Sequence, residues 1–383
     1  MKYIENIKLD YKKVILRLDL NVPIKDGIIL DDTKIRKCIP TIKYLINHKC
    51  HILIMSHLGK IKSEEDKLNN SLINVSKVLS DLLEMDVYFI PNTRGNELEE
   101  SINNNIITLM ENTRFEDYPE KYESNCSLDL AKYWSSLGDI FINDAFGTTH
   151  RRHASNYGIS KFIESGYGFL IKEEIDGLDP IINNVDKPFT VIMGGAKVDD
   201  KIKLIESILE ECDYLLVGGG IANTFLAASD KSIGSSLYSK DYVSNIKLLI
   251  DKYKNKILMP VDVVVLDGED VITKNINDIS SNDVIYDIGE STINLYKEVL
   301  NKSNTIFVNG TVGLYEDERF KKGTTLLYQS LNNTDKTIIA GGGDAVSSVN
   351  KLGFKDSFDF LSTGGGATLE YIANKKMNCF EDD

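Results

Sequence analysis

The chain is poor in arginine, has few cysteines and contains no long apolar run. Its five cysteines, Cys38, Cys50, Cys126, Cys212 and Cys379, are odd in number and include no CxxC pair. That pattern argues against a disulfide framework or a zinc site, and it fits buried free thiols in a reducing cytosol. No apolar stretch approaches the roughly 20 residues that a transmembrane helix needs. The opening residues, MKYIENIKLDYKK, hold no apolar core of about 7–15 residues, so no signal peptide is expected. Positive charge in excess is missing as well. A formal net charge of −14 disfavours nucleic acid as a partner, because a phosphate backbone calls for a basic footprint. Neither GxGxxG nor GxxxxGKS/T occurs, which weakens a dinucleotide dehydrogenase or a P-loop ATPase. A cytoplasmic protein without a membrane or nucleic-acid partner is the expectation.

What is present is α/β alternation. With 383 residues, 42% of them hydrophobic, two domains are expected. In the first half KVILRLDL, HILIMSH, DVYFI, IITLME and IFINDAF read as strands. Stretches with helical spacing, such as TKIRKCIPTIKYLINH, lie between them, and this order predicts a parallel sheet. Apolar runs this continuous belong to strands covered on both faces. The second half repeats the theme: FTVIM, DYLLV, TIIA and DFLST each run into a glycine cluster and then a helical pattern. Glycine lets backbone approach a ligand, and a helix N-terminus offers free N–H groups to phosphate. The domain boundary is expected near residues 156–185, where FIESGYGFLIKEEIDGLDPIINN reads as an interdomain helix.

Seven arginines stand against 37 lysines, and arginine should persist where its planar fork cannot be replaced. Five of them, Arg17, Arg36, Arg114, Arg151 and Arg152, lie in or beside strand-end segments of the first half. Asp19 and Asn21 end the first strand, His57 and Lys60 the second, Arg114 a later one, and His150, Arg151 and His153 follow IFINDAFG. Ligands of open α/β sheets bind beyond the carboxyl ends of the strands. These groups are therefore expected to converge on one cationic crevice suited to a small, multiply charged acid. The first half would hold an anion with side chains and the second a nucleotide phosphate chain with backbone, a pairing that points to kinase chemistry.

The motifs then resemble those of the phosphoglycerate kinase family along nearly the whole chain. RLDLNVP, MSHLGK, LMENTRF and NDAFGTTHRRHAS are similar to its first-half segments. GGAKVDDKI, VGGGIANTFL, MPVDVVV, YDIGEST, FVNGTVGLYE, AGGGDAVSS and STGGGATLEY follow in the family's order. The resemblance implies two doubly wound, Rossmann-like parallel-sheet domains and a hinge. Residues 1–165 would bind 3-phosphoglycerate, 166–185 form the hinge helix, 186–360 bind nucleotide, and 361–383 pack back on the first domain. It further implies a monomer that transfers a phosphoryl group between ATP and the carboxyl group of 3-phosphoglycerate with Mg²⁺.

By motif, Asp19, Asn21, Arg36, His57, Lys60, Arg114 and Arg151 would hold the phosphoglycerate, with His150 and His153 supporting them. Lys197, Lys201, Gly220, Gly289, Asn309 and Glu316 would hold the nucleotide, and Asp344 the Mg²⁺–phosphate unit. Arg36, Lys201, Gly342 and Gly343 would stabilise the transferring phosphoryl group, with the N–H of Ala345 also on the nucleotide. The sequence departs from the family at several of these places. Lys60 stands for arginine, Ile61, Glu290 and Thr311 for prolines, Asp199 for serine, and Ala345 for a hydroxyl residue; Arg152 is an additional cation. The alternative is a kinase-like paralogue that binds nucleotide or phosphometabolite with little turnover, as a sensor or interaction protein.

Overall fold

A computed structural model describes residues 2–199 and 201–380. The chain divides into two compact units, Met1–Ile175 with Lys376–Asp383, and Asp176–Lys375.

The first unit is built on six strands: β1 (Lys13–Leu18), β2 (His51–Met55), β3 (Tyr88–Ile90), β4 (Ile107–Met110), β5 (Ile140–Asp144) and β6 (Ser165–Tyr167). They pair in parallel in the order β3-β4-β2-β1-β5-β6. Period-2 geometry splits the apolar runs between two cores. Val14, Leu16, Ile52, Ile54 and Ile142 pack with Ile35, Ile42 and Leu45 of the helix Thr33–Asn47 and with Val75 and Leu79 of the helix Ile73–Leu83. Ile15, Leu53, Met55 and Phe141 point the other way, against Leu98 and Ile102 of the helix Asn96–Asn104 and Trp134 of the helix Leu128–Ser135. Truncating such a buried side chain, as in Phe141→Ala, costs about 3–5 kcal/mol. Four cysteines are buried as expected, and Cys126 is only partly covered.

In the second unit β7 (Phe189–Met193), β8 (Tyr214–Val217) and β9 (Ile257–Leu258) come first. A three-stranded antiparallel sheet that the sequence reading did not foresee follows: β10 (Asp262–Asp267), β11 (Asp270–Asn275) and β12 (Val284–Ile288). Then come β13 (Thr305–Asn309), β14 (Thr337–Gly341) and β15 (Phe360–Ser362). The main sheet is parallel in the order β9-β8-β7-β13-β14-β15. Each large sheet therefore reverses its direction of winding once, between β1 and β5 and between β7 and β13, and a ligand crevice is expected at such a switch point.

Around the boundary the structure differs in detail from the sequence reading. The helix is Phe169–Ile182, and Ser165–Tyr167, included in or next to the expected helix, is instead an edge strand on β5. Gly166 allows it, since a Cβ there would stand 2.2 Å from Ile7 Cδ1. The Asp144 carboxylate starts the helix by accepting the Leu170 and Ile171 N–H groups at 2.8 and 3.1 Å. At the other end, β15 and the helix Gly366–Asn374 belong to the second unit, where Ala367, Thr368 and Ile372 are buried. The segment that groups with the first unit starts at Lys376, later than residue 361.

Candidate active site

Register builds the first crevice. Arg17 of β1 is level with Met55 of β2 and Asn143 of β5, so the segments that follow these strands leave the sheet along one edge. Asp19 is buried there. Burial alone would raise its carboxyl, but Lys34, whose Nζ lies 2.8 Å away, and the charge of Arg17 hold it below the ordinary value. Asn21 Oδ1 accepts the Gly59 N–H at 2.9 Å and fixes the turn that carries Lys60. Asn112 fastens the neighbouring loops: its Oδ1 accepts from the Leu58 and Arg114 N–H groups, and its Nδ2 donates to the Leu58 and Asn70 carbonyls. Arg114 is 8% exposed, and its Nε is buried without a hydrogen-bond partner among the described residues. A buried donor left unmade is costly, and an anion in the crevice would satisfy it.

The positive charge among these groups does not come from histidine. Burial, then Arg17, press His57 well below its ordinary range. Burial and Arg151 bring His150 down to about 4, and burial with Arg114 and Arg17 brings His153 down to about 3. All three are neutral imidazoles at pH 7, because desolvation and neighbouring arginines both oppose a further proton. His150 Nε2 accepts from Arg151 Nε at 2.9 Å, and its Nδ1 is buried with no partner among the described residues. The charge therefore belongs to arginine and lysine. Lys60 and Arg151 are exposed. Arg36 is not brought onto the other groups: it stands on the first turn of the helix Thr33–Asn47 with its guanidinium on Asp32, at 2.9 and 2.7 Å. Arg152 lies over the Tyr157 ring, 4.9 Å from its centroid.

The second unit forms a cavity of about 620 Å³ from the ends of β7, β8 and β13, with β12 as a wall. Gly195 and Ala196, Gly219 and Gly220, Thr311, Gly313 to Glu316, Val284 to Tyr286, Leu237 and Asp344 are among its lining residues. Three residues expected on a nucleotide, Gly220, Glu316 and Asp344, face it. Lys197 lines a smaller adjoining cavity of about 220 Å³ with Asp199, Leu237 and Ser239. Lys201 lies at the base, its Nζ donating to the Gly194 carbonyl at 2.7 Å and standing 3.4 Å from that of Asn309. Asn309 Nδ2 donates to the Gly341 carbonyl at 2.6 Å, while its Oδ1 is buried with no partner among the described residues.

The glycine turns are not equivalent. A Cβ on Gly220 would stand 2.0 Å from the Ala196 carbonyl oxygen, and one on Gly194 the same distance from that of Thr311. The N–H groups of Gly195 and Gly219 are spent on the carbonyls of Thr311 and Val312. These glycines let backbone approach backbone. Gly289 is buried against Asp262, whose carboxylate already accepts the Ser291 and Thr292 N–H groups at 2.9 and 2.7 Å, so it does not line the cavity. The turn after β14 is different. Gly342 has φ +94°, no side chain among the described residues caps the helix Gly343–Leu352, and a Cβ on Gly343 would meet none of them within 4 Å. Its first N–H groups, at Gly343, Asp344 and Ala345, meet no acceptor among the described residues. Ala345 itself is fully buried.

Sequence reasoning missed part of the scaffold. Asn112 was passed over although it sits inside LMENTRF beside Arg114. Arg17 is placed by the sequence at a strand end but given no role there, and it is fully buried behind His57. Glu123 lies in no recognisable pattern, and Asp287 sits inside YDIGEST with no role assigned to it by the sequence. Asp287 accepts the Gly323 N–H at 2.7 Å behind the cavity, and burial pushes its carboxyl up to about 7.

Comparison with known proteins agrees with this architecture. The family model for phosphoglycerate kinase matches residues 4–375. The phosphoglycerate kinases of Fusobacterium nucleatum and of Listeria monocytogenes serotype 4b are each 44% identical to the chain, covering 98% of it and 97% of their own length. Among solved structures, phosphoglycerate kinase from Coxiella burnetii superposes with a TM-score of 0.88 at 35% identity. The enzyme from Pyrococcus horikoshii does so with 0.84 at 30% identity; each comparison covers 99% of this chain and 97% of the other. With the match spanning both units and both candidate sites, the chain belongs to the phosphoglycerate kinase family.

Proposed function

We propose that the chain catalyses reversible phosphoryl transfer between ATP and the carboxyl group of 3-phosphoglycerate, giving 1,3-bisphosphoglycerate and ADP, in glycolysis and gluconeogenesis. The observation that carries this reading is the family match over both units. Its chemical counterpart is the contrast between an arginine- and lysine-bearing crevice in one unit and a glycine-walled cavity with an open helix N-terminus in the other.

In this reading Asp19, Asn21, Arg36, His57, Lys60, Arg114 and Arg151 take the phosphoglycerate, with the Arg114 fork satisfied by an anionic oxygen. His150 and His153 contribute neutral ring nitrogens. The nucleotide lies in the 620 Å³ cavity, with Glu316 on the ribose hydroxyls, Gly220 along the wall, and Lys197 and Lys201 on phosphates. Lys201 would exchange its carbonyl partners for phosphate oxygens, and the Asn309 amide shapes the turn behind them. The attacking group is a carboxylate, already ionised near neutral pH, so no general base is required. What remains is positioning and charge stabilisation, assigned to Arg36, Lys201 and the N–H groups of Gly342, Gly343 and Ala345. Gly289, buried under Asp262, is left out of this assignment.

Among the described residues no three His, Cys, Asp or Glu side chains form a metal cage. That suits Mg²⁺, which keeps water and phosphate oxygens as most of its ligands. Asp344, at the cavity and in the first turn of the helix Gly343–Leu352, would hold it. Bound with nucleotide, Mg²⁺ would neutralise phosphate charge. Transfer requires the two held ligands to meet, so hinge-bending is part of the proposal, as is a cytoplasmic monomer. No helix among the described residues is long and apolar enough to cross a membrane. A coupled assay with 3-phosphoglycerate and Mg·ATP tests the whole reading. Formation of ADP dependent on phosphoglycerate is expected, and its absence from folded protein would refute it.

A further inference from the structure

Behind the first crevice runs a buried chain of polar groups whose directions are fixed by elementary donor and acceptor rules. Glu123 is fully buried and carries the segment between the Asp117 turn and the helix Leu128–Ser135. Its carboxylate accepts the Ser155 N–H at 2.9 Å and bonds the Ser155 hydroxyl, and its carbonyl accepts the Ala154 N–H. Ser155 Oγ in turn accepts from Arg17 Nε at 2.9 Å. Arg17 NH2 lies 3.3 Å from His57 Nδ1. A guanidinium only donates, so Nδ1 must accept, and a neutral imidazole then carries its hydrogen on Nε2. Nε2 has no protein partner among the described residues and is free to donate to an anionic oxygen. Glu123 also stands 3.9 Å from His153 Nδ1.

We propose that Glu123 is a positioning residue which, through Ser155 and Arg17, holds His57 as its Nε2–H tautomer. His57 is thereby presented to the phosphoglycerate as a hydrogen-bond donor. The charges order the relay. An ionised Glu123 draws the single Ser155 hydrogen toward itself, leaving a serine lone pair for Arg17. Arg17 NH1 donates to the Leu18 carbonyl, and NH2 is the nitrogen left toward the ring. Burial pushes the Glu123 carboxyl up, and Arg17 and the Ser155 bonds oppose that push. The inference rests on the reading that this crevice takes the phosphoglycerate.

The protein has five histidines, few enough to resolve by nitrogen-15 NMR of the histidine-labelled chain. In the ligand-free enzyme His57 should show an unprotonated Nδ1 and a protonated Nε2. Glu123→Gln should mix the tautomers and raise KM for 3-phosphoglycerate about tenfold, the order of one hydrogen bond to a charged group, with KM for ATP unchanged. Ser155→Ala severs the same relay without touching the carboxylate and serves if the first variant does not fold. A wild-type His57 protonated on Nδ1 would overturn the proposal. So would a tautomer that stays fixed in the variants, or one that shifts with no change in KM. His57→Ala separates this from the reading beneath it: if that variant leaves KM for phosphoglycerate unmoved, the crevice assignment fails. If KM moves but the tautomer ignores Glu123 and Ser155, only the relay fails.

Discussion

Both large sheets reverse their winding once, and both are open at the carboxyl ends of the strands there, yet the two edges are made differently. Beyond β1, β2 and β5 the working groups are side chains held by other side chains: Asp19 by Lys34, Asn21 by the Gly59 N–H, Arg17 by Ser155. Beyond β7, β8 and β13 the walls are backbone packed on backbone, with Gly194, Gly218 and Gly220 at separations that admit no Cβ. Placing specific donors around a small acid takes side-chain geometry, whereas lining a large cavity takes closely packed turns. The same topology serves both because a switch point fixes only where the chain opens, and the residues after each strand decide what the opening can hold.

The largest effect that would test this division is expected at Arg36. Arg36→Ala should lower kcat about 10³-fold or more, since a charge partner of the transferring phosphoryl group is lost. Mg·ADP affinity, measured by calorimetry, should persist. The wild-type guanidinium rests on Asp32 with its side chain 62% exposed, so its removal should cost little stability. A variant that kept a tenth of the wild-type kcat would remove Arg36 from the proposed chemistry.

The glycine contrast comes next. Gly220→Ala would drive a Cβ to 2.0 Å from the Ala196 carbonyl oxygen, and backbone cannot rotate away. Overpacking of this kind costs about 1–3 kcal/mol and sometimes more, visible as a lower denaturation midpoint. Gly343→Ala points into open space and should change stability by no more than about 0.5 kcal/mol. If the two variants destabilised equally, the distinction between packing glycines and open ones would be wrong.

That distinction also marks the limit of the sequence. The strand–glycine–helix repeats were legible because apolar runs and glycine clusters are local patterns, and LRLDLNVP and MSHLGK could be placed at strand ends for the same reason. Which turn has free N–H groups is not local. It depends on whether a carbonyl such as that of Thr311 or Val312 arrives from another strand. The charge on His57, His150 and His153 was hidden likewise, because burial and the nearness of Arg17, Arg114 and Arg151 are tertiary facts. Glu123 lies in EKYESNC, an ordinary polar loop by composition, and only folding buries it.

Protonation sets buried histidine against buried carboxylate, and for His153 the effect is on a scale of about 2 kcal/mol. His153 titrates near 6.5 when unfolded and at about 3 in the fold, so below about pH 6.5 the unfolded chain binds more protons. The stability linked to His153 is present above that pH and falls away as pH drops, by about 2 kcal/mol at pH 5. Asp287 runs the other way. Its folded carboxyl is raised to about 7, so its contribution is present below its unfolded value of about 3.9 and lost as pH rises through 7. Asp144, raised to about 6 by burial against the Thr41 and backbone bonds that oppose it, adds a slope of the Asp287 kind within the first unit. The histidine effect is therefore read as the difference between wild type and His153→Asn in denaturant melts across pH. The two windows overlap between about pH 4 and 6.5 with opposite sign, so there His153→Asn should remove a rise of stability with pH and Asp287→Asn a fall. Exchanged effects would mean that burial does not control these groups.

The smallest effect, and the finest test of the side-chain crevice, concerns Lys60. Arginine in its place would offer two parallel N–H donors where lysine brings a point charge on a flexible stem. Lys60 is exposed, so solvent screening reduces what the missing fork is worth, and roughly 1 kcal/mol is expected. Lys60→Arg should therefore lower KM for 3-phosphoglycerate about threefold to tenfold and leave KM for ATP in place. Compensation by Arg152 is the competing possibility. Its guanidinium lies over the Tyr157 ring, where stacking would have to be given up before it could reach a ligand. If Arg152 does supply the donor, Lys60→Arg will be silent alone and will rescue Arg152→Ala. Neighbouring Ile61 is 5% exposed, so the loop is anchored by an apolar side chain, and the longer arginine can extend outward without displacing it. A Lys60→Arg enzyme whose KM for ATP moved while its KM for phosphoglycerate stayed fixed would place residue 60 with the nucleotide, and the separation of an acid-holding unit from a nucleotide-holding one would fail at that residue.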